Sequence, residues 1–208
     1  MVVVRRKSHP PPPAPPPAEE GSHFILAALA HRTPDRVPLD LGGTYSTNVV
    51  AIVEDLGTQQ GPLIRPEVYR RMIKPYHKRM MGAVKKHGKR LFLHSCGAVS
   101  AFIPDFIEMG VDALNPVQVS AHGMDTRKLK NEFGRDLSFW GAIDTGKVLP
   151  YGTPEEVRDE VKRRIDDLAS NGGYILAAVH NIQSDVPPRN VAAMYEAALE
   201  YGAGAQLE

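Results

Sequence analysis

The residues with the most pointed chemistry are His94 and Cys96, separated by one serine. On a strand, positions two apart leave by the same face, so the imidazole and the thiol point the same way. Nitrogen plus thiolate sulfur suits zinc, and a third protein ligand would leave one coordination position open for a substrate. The pair also has plainer readings. Cys96 is the chain's single cysteine, and such a residue is commonly a small buried hydrophobe. A histidine at a strand end often satisfies a backbone carbonyl. Spacing alone leaves both readings open.

The elements that must position this pair are legible as a regular alternation. Arg90-Leu91-Phe92-Leu93-His94 is a short apolar strand, followed by a helical stretch to Met109-Gly110. Ala113-Leu114-Asn115-Pro116 is a second strand, with a helix over 126–133 behind it. The third strand covers 137–143, and its helix opens on Thr153-Pro154-Glu155-Glu156, a capping box with proline at the first helical position. Val157, Val161, Ile165 and Leu168 mark the buried face of that helix. A fourth strand covers 174–179, and Val191, Met194, Tyr195 and Ala198 line the last helix. Nearer the start, 24–30 reads as a short helix and 37–41 as a short strand ended by Gly42-Gly43. Pro66 opens a further helix that Lys74-Pro75 interrupts, and a second helical run ends near Gly88. Met72, Met80 and Met81 are expected in the core. Successive strand–helix units predict a parallel α/β sheet, open or closed into a barrel.

In such folds ligands gather outside the carboxyl ends of the strands. His94 and Cys96 stand at one such end, Asn115 and Gln118 at the next, then Asp144, then His180, Asn181 and Gln183. Asp40 belongs to the early strand and joins Asn115, Gln118, Asp144, Asn181 and Gln183 as a candidate substrate contact, with Asn115, Asp144 and Gln183 alternatively orienting a ligand's second nitrogen. Gly42-Gly43-Thr44 reads more simply as a turn than as a phosphate cradle.

Composition narrows the function classes. The 208 residues carry 25 basic and 24 acidic side chains, a net charge of +1, so nothing argues for nucleic acid or an anionic membrane. Arg70, Arg71, Lys74, Lys78, Arg79, Lys85, Lys86, Lys89 and Arg90 read as solvated helix faces. One cysteine excludes a disulfide scaffold, and no run approaches the ~18 apolar residues of a membrane span. Residues 10–17 hold seven prolines and one alanine, which favours solvated polyproline II over a signal peptide. The expected organisation is a disordered tail over 1–21 and one domain over 22–208, in the cytoplasm.

At these residues the chain resembles the uroporphyrinogen decarboxylase superfamily, and specifically its zinc-dependent, corrinoid-linked methyltransferase branch. The matching pieces are Leu39-Asp40-Leu41-Gly42-Gly43-Thr44, Glu54-Asp55-Leu56-Gly57-Thr58-Gln59, Ile73-Lys74-Pro75, Phe92-Leu93-His94-Ser95-Cys96-Gly97, Val179-His180-Asn181-Ile182-Gln183 and Asp185-Val186-Pro187-Pro188-Arg189-Asn190. The resemblance implies a (β/α)8 barrel with its site at the carboxyl end of the strands. It implies zinc on His94 and Cys96, with His180 in the place of a further cysteine ligand. True decarboxylases also carry a histidine there, used for substrate, but lack the His-x-Cys pair. It further implies that His94, Cys96 and His180 act in methyl transfer between a small thiol or methyl ether and a corrinoid carried by a partner protein.

Between roughly Val50 and Val53 the chain passes from the early strand to the region before the later ones, and the family's intervening barrel units find no counterpart. Without its tail the chain is shorter than the ~200–250 residues of an ordinary eight-unit barrel. The expectation is therefore an incomplete barrel, completed by a second chain or left as a fragment. Two other functions stay in view: a metal-free decarboxylase (a lyase of porphyrin biosynthesis) and an inactive barrel fragment serving as a binding subunit.

Overall fold

The computed structural model describes residues 27–31 and 49–203. The proline-rich tail, Asp40 and Gly42-Gly43-Thr44 lie outside them. Among the described residues five strands follow in chain order: β1 (Val49–Val53), β2 (Arg90–His94), β3 (Ala113–Asn115), β4 (Ser138–Ile143) and β5 (Tyr174–Ala178). Each pairs in parallel with the next, so the spatial order is β1-β2-β3-β4-β5. A doubly wound sheet would reverse its order at a switch point; this one never does, and sequential order is the wall of a β/α barrel. The connections carry α1 (Pro66–Met72), α2 (Lys74–Lys86), α3 (Ile103–Glu108), α4 (Thr126–Phe133), α5 (Val148–Tyr151) and α6 (Pro154–Leu168). After β5 comes α7 (Pro188–Gly202).

Strand alternation sorts the core into two clusters. Leu91, Leu93, Leu114, Phe139 and Leu176 pack with the helices. Phe92, Ala113, Trp140, Ile175 and Ala177 form a second cluster with Val49, Ala28 and Leu29. That second face is the inner one. Phe92 and Trp140 meet there edge to face, with ring centroids 4.8 Å apart. Such a pair adds roughly 0.5–1.5 kcal/mol beyond its burial. Residues 27–29 form a helical turn, and the Ala28 carbonyl accepts from Ser138 Oγ at 3.3 Å. Because side chains alternate, His94 follows Phe92, and Asn115 follows Ala113, onto the inner face.

The helices form where local signals place them. Thr153 N–H donates to Glu156 Oε2 and Glu156 N–H donates to Thr153 Oγ1, closing the expected capping box. Val157, Val161, Ile165 and Leu168 are all fully buried. In α7, Met194 and Ala198 are buried, while Val191 and Tyr195 pack partly against the core. Pro75 falls in the first turn of α2, where its missing N–H costs nothing, so it divides α1 from α2.

Three expectations need correction. The sequence reading passes over β1, although its β-branched run Val49-Val50-Ala51-Ile52-Val53 carries the signal. Of the three methionines only Met81 is buried; Met72 and Met80 are 58% and 44% exposed. Met80 lies one residue, about 100°, around the helix from Met81, so both cannot face β2. The basic residues of α1 and α2 are partly engaged rather than solvated. Buried Asp105 accepts from Arg70 Nε at 2.9 Å and Lys74 Nζ at 2.7 Å, and Lys74 and Lys78 both reach Glu108.

Beneath the sheet, half-buried Lys130 donates to the Gly172 carbonyl at 2.6 Å. Burial holds its ammonium down to about 8 from an ordinary 10.5. Between those values the unfolded chain binds the extra proton, so stability should rise with pH across that window. Below it the buried charge is carried in full. Lys130→Met is expected to flatten that rise in urea unfolding midpoints measured at pH 7, 8, 9 and 10. An unchanged rise would show that Lys130 is not its source.

Candidate metal centre

The register brings three chain-distant segments to one rim. Val53 pairs with His94, and His94 pairs with Asn115, so the ends of β1, β2 and β3 lie side by side. His94 Nδ1 lies 2.6 Å from Asn115 Oδ1. Asn115 donates its amide N–H to the Trp140 carbonyl at 3.1 Å, which identifies Oδ1 as the end facing the histidine. An acceptor there places the proton on Nδ1 and leaves the Nε2 lone pair free. Nε2 faces Cys96 Sγ at 3.4 Å. This is the arrangement of a metal-binding histidine with its orienting partner.

Asp55, two residues beyond β1, completes the cluster. Its Oδ1 accepts the Cys96 N–H at 3.0 Å and lies 3.9 Å from His94 Nε2. Among the described residues, Asp55, His94 and Cys96 are the three whose ligand atoms lie within 4.8 Å of one another. The donor set is one nitrogen, one sulfur and one oxygen, all types that zinc accepts. Burial, and then the Asp55 charge and hydrogen bond, push the Cys96 thiol up to about 11. Without a cation the sulfur therefore keeps its proton at neutral pH.

A backbone crossing holds the two loops together. A Cβ on Gly57 would stand 2.7 Å from Cys96 O, and one on Gly97 would stand 2.4 Å from the Gly57 carbonyl carbon. Gly97 also has φ +86°, a left-handed value that glycine adopts freely. Around the crossing, Leu56 N–H donates to Ser95 Oγ at 3.0 Å and Ala98 N–H to the Thr58 carbonyl at 2.8 Å. Gln118 braces it: its Oε1 accepts the Gly97 N–H and its Nε2 donates to Gln59 Oε1.

The other expected site residues are placed less tightly. Asp144 is buried and accepts the Gly146 N–H at 2.7 Å. His180, Asn181 and Gln183 are exposed beyond β5, and His180 is not one of the three clustered donors. Asp40 lies outside the described residues. Asp55 is the residue the sequence reading does not single out. Its signal is its place just after the β-branched run of β1.

Two measurements check this geometry. Gly97→Ala is expected to lower stability by about 2–4 kcal/mol, through positive φ and overlap with Gly57. Gly82→Ala, in α2 with open space around it, should raise it by roughly 0.5–1 kcal/mol. Equal urea midpoints for the two variants would contradict the crossing. In metal-free protein, alkylation of Cys96 should be slow at pH 7 and climb toward pH 11, and Asp55→Asn should move the curve to lower pH. A parent thiol titrating near the ordinary ~8.5 would contradict the effect of burial.

Comparison with known proteins agrees with this layout. A methyltransferase from Methanosarcina mazei of known structure superposes with a TM-score of 0.59 at 22% identity, covering 74% of this chain and 42% of that one. The five strands are therefore part of a barrel of that type. Among curated proteins, a methylated-thiol–coenzyme M methyltransferase of Methanosarcina mazei is 24% identical over 77% of this chain and 40% of its own length. A methylcobamide:CoM methyltransferase of the same organism is 28% identical, over 74% and 42%. A uroporphyrinogen decarboxylase of Syntrophotalea carbinolica is 25% identical, over 64% and 36%. The chain thus spans about two fifths of the length of the curated relatives it matches. No helix among the described residues is long and apolar enough to cross a membrane. The sequence model of one family covers residues 46–201, well over half of the chain, which therefore belongs to the uroporphyrinogen decarboxylase (URO-D) family.

Proposed function

We propose that this chain carries the metal centre of a zinc-dependent methyltransferase. It would move a methyl group between a small thiol or methyl ether and a corrinoid held by a partner protein, in the cytoplasm. The observation that carries the reading is the His94–Cys96 pair, with the histidine tautomer set by Asn115 so that Nε2 faces the sulfur. The methyltransferase names among the relatives support it. Decarboxylases are relatives too, and a nitrogen–sulfur donor pair has no part in a metal-free decarboxylation.

Bound zinc supplies Lewis acidity, which makes a thiol more acidic or an ether oxygen a better leaving group. The residues do the rest. His94 would bind through Nε2 while Asn115 keeps the Nδ1 proton in place. Cys96 would bind as thiolate, giving up its Sγ proton, so affinity would rise with pH. Half-exposure of this pair leaves an approach from the rim. His180, Asn181 and Gln183 stand on that rim beyond β5, where they would contact substrate or the partner. Two donors are open to the third ligand position: His180, offered by the sequence, and Asp55, offered by the geometry.

A second reading has its own observation. Among the described residues β1 and β5 each keep one unpaired edge, so a binding subunit would associate firmly through them without turning over substrate. Zinc analysis separates the readings. Chelator-washed and zinc-reloaded parent should hold about one zinc per chain and Cys96→Ser essentially none, with methyl transfer lost alongside. Methyl transfer that survives in zinc-free protein would sink the proposal.

A further inference from the structure

Resting on the zinc reading, the geometry points to Asp55 as the third protein ligand of the centre, so that the whole donor set comes from β1 and β2. Three observations converge. First, the separations are near those a shared ion requires. Zinc bonds of roughly 2.0–2.3 Å at tetrahedral angles place donor atoms about 3.3–3.7 Å apart. His94 Nε2 to Cys96 Sγ, at 3.4 Å, lies within that range, and His94 Nε2 to Asp55 Oδ1, at 3.9 Å, lies just beyond it, so a small inward turn of the exposed carboxylate would close the set. Second, Asp55 is fixed rather than merely near. The Gly57–Gly97 crossing lies two residues beyond it, and the Cys96 N–H already holds its Oδ1. Third, the Asp55 side chain stays 63% exposed, so an ion bound there keeps a face toward solvent and an open position for substrate.

His180 has a different placement. It follows β5, three strands along the sheet from β2, and is itself exposed. With Asp55 as ligand, His180 is left to meet substrate from the far side of the rim. Carboxylate and thiolate carry the same single negative charge, so the formal charge equals that of a two-cysteine site, while the harder oxygen donor would leave the ion the stronger Lewis acid.

Cobalt(II) titration of the full 208-residue chain, followed by absorption, tests the assignment. Asp55→Ala should weaken cobalt affinity at least tenfold, whereas His180→Ala should stay within about twofold of the parent. Asp55 also braces a backbone N–H, so a third variant separates ligation from bracing. Asp55→Cys should bind cobalt and roughly double the thiolate-to-cobalt charge-transfer band, because a second sulfur enters the shell. Parent-like affinity in Asp55→Ala, or no added band in Asp55→Cys, would overturn Asp55 while leaving the zinc reading intact. A parent chain that binds neither cobalt nor zinc would overturn both.

Discussion

Where Gly57 crosses Gly97, two backbones come so close that neither position has room for a Cβ. The chemistry at the rim depends on that contact. It presses the loop after β1 onto the turn that carries His94-Ser95-Cys96, and hydrogen bonds from Leu56 and Ala98 then seal the join. A backbone-to-backbone contact is stiffer than one between long side chains, since it has no rotamers to relax through. Gln118 and Gln59 add side-chain bracing on the outer side, with Ser120 accepting from Gln59. The result is a small rigid cradle in which a carboxylate, an imidazole and a thiol meet, although they come from segments about forty residues apart in the chain.

Below the cradle, parity does the positioning. Phe92 and Trp140 fill the inner face of the sheet, and His94 stands one repeat above Phe92 on the same side. A slip of one residue in the pairing would turn every inner side chain outward, so the register is held by the whole apolar layer and not by the site. The Asn115 bond to the Trp140 carbonyl ties the polar layer to the apolar one. Histidine orientation is therefore inherited from core packing, and a metal would find the nitrogen already aimed.

This division explains what the sequence makes legible. Apolar runs bounded by glycine or proline locate β2 to β5, because parallel strands buried on both faces are near-continuous hydrophobic stretches. The capping box at Thr153 marks the start of α6 for a purely local reason. The rim residues follow from the rule that ligands gather at strand ends. Asp55 escapes, since its role exists only once β1 lies beside β2, and β1 is the strand the reading passes over. Gln118 shows the converse: the rim is rightly identified, but both ends of its amide are spent on bracing the loop. Residue type and strand end can nominate a side chain; only tertiary contacts say whether its polar atoms remain free.

Family membership alone does not choose a reaction here, because methyltransferases and decarboxylases are both relatives at similar identity. The proposed reading rests instead on local geometry. The clustered donors and their orienting asparagine come from three neighbouring strand ends, β1, β2 and β3. Metal binding is thereby separable from the completion of the barrel wall. The first needs only the cradle, while the second concerns the edges of β1 and β5 that are unpaired among the described residues, at the two limits of the sheet. On the proposed reading, an ion held in the cradle would still leave substrate and methyl carrier to other surfaces. Donor geometry at His94 and Cys96 and assembly at the sheet edges are two distinct physical questions, answered by different residues.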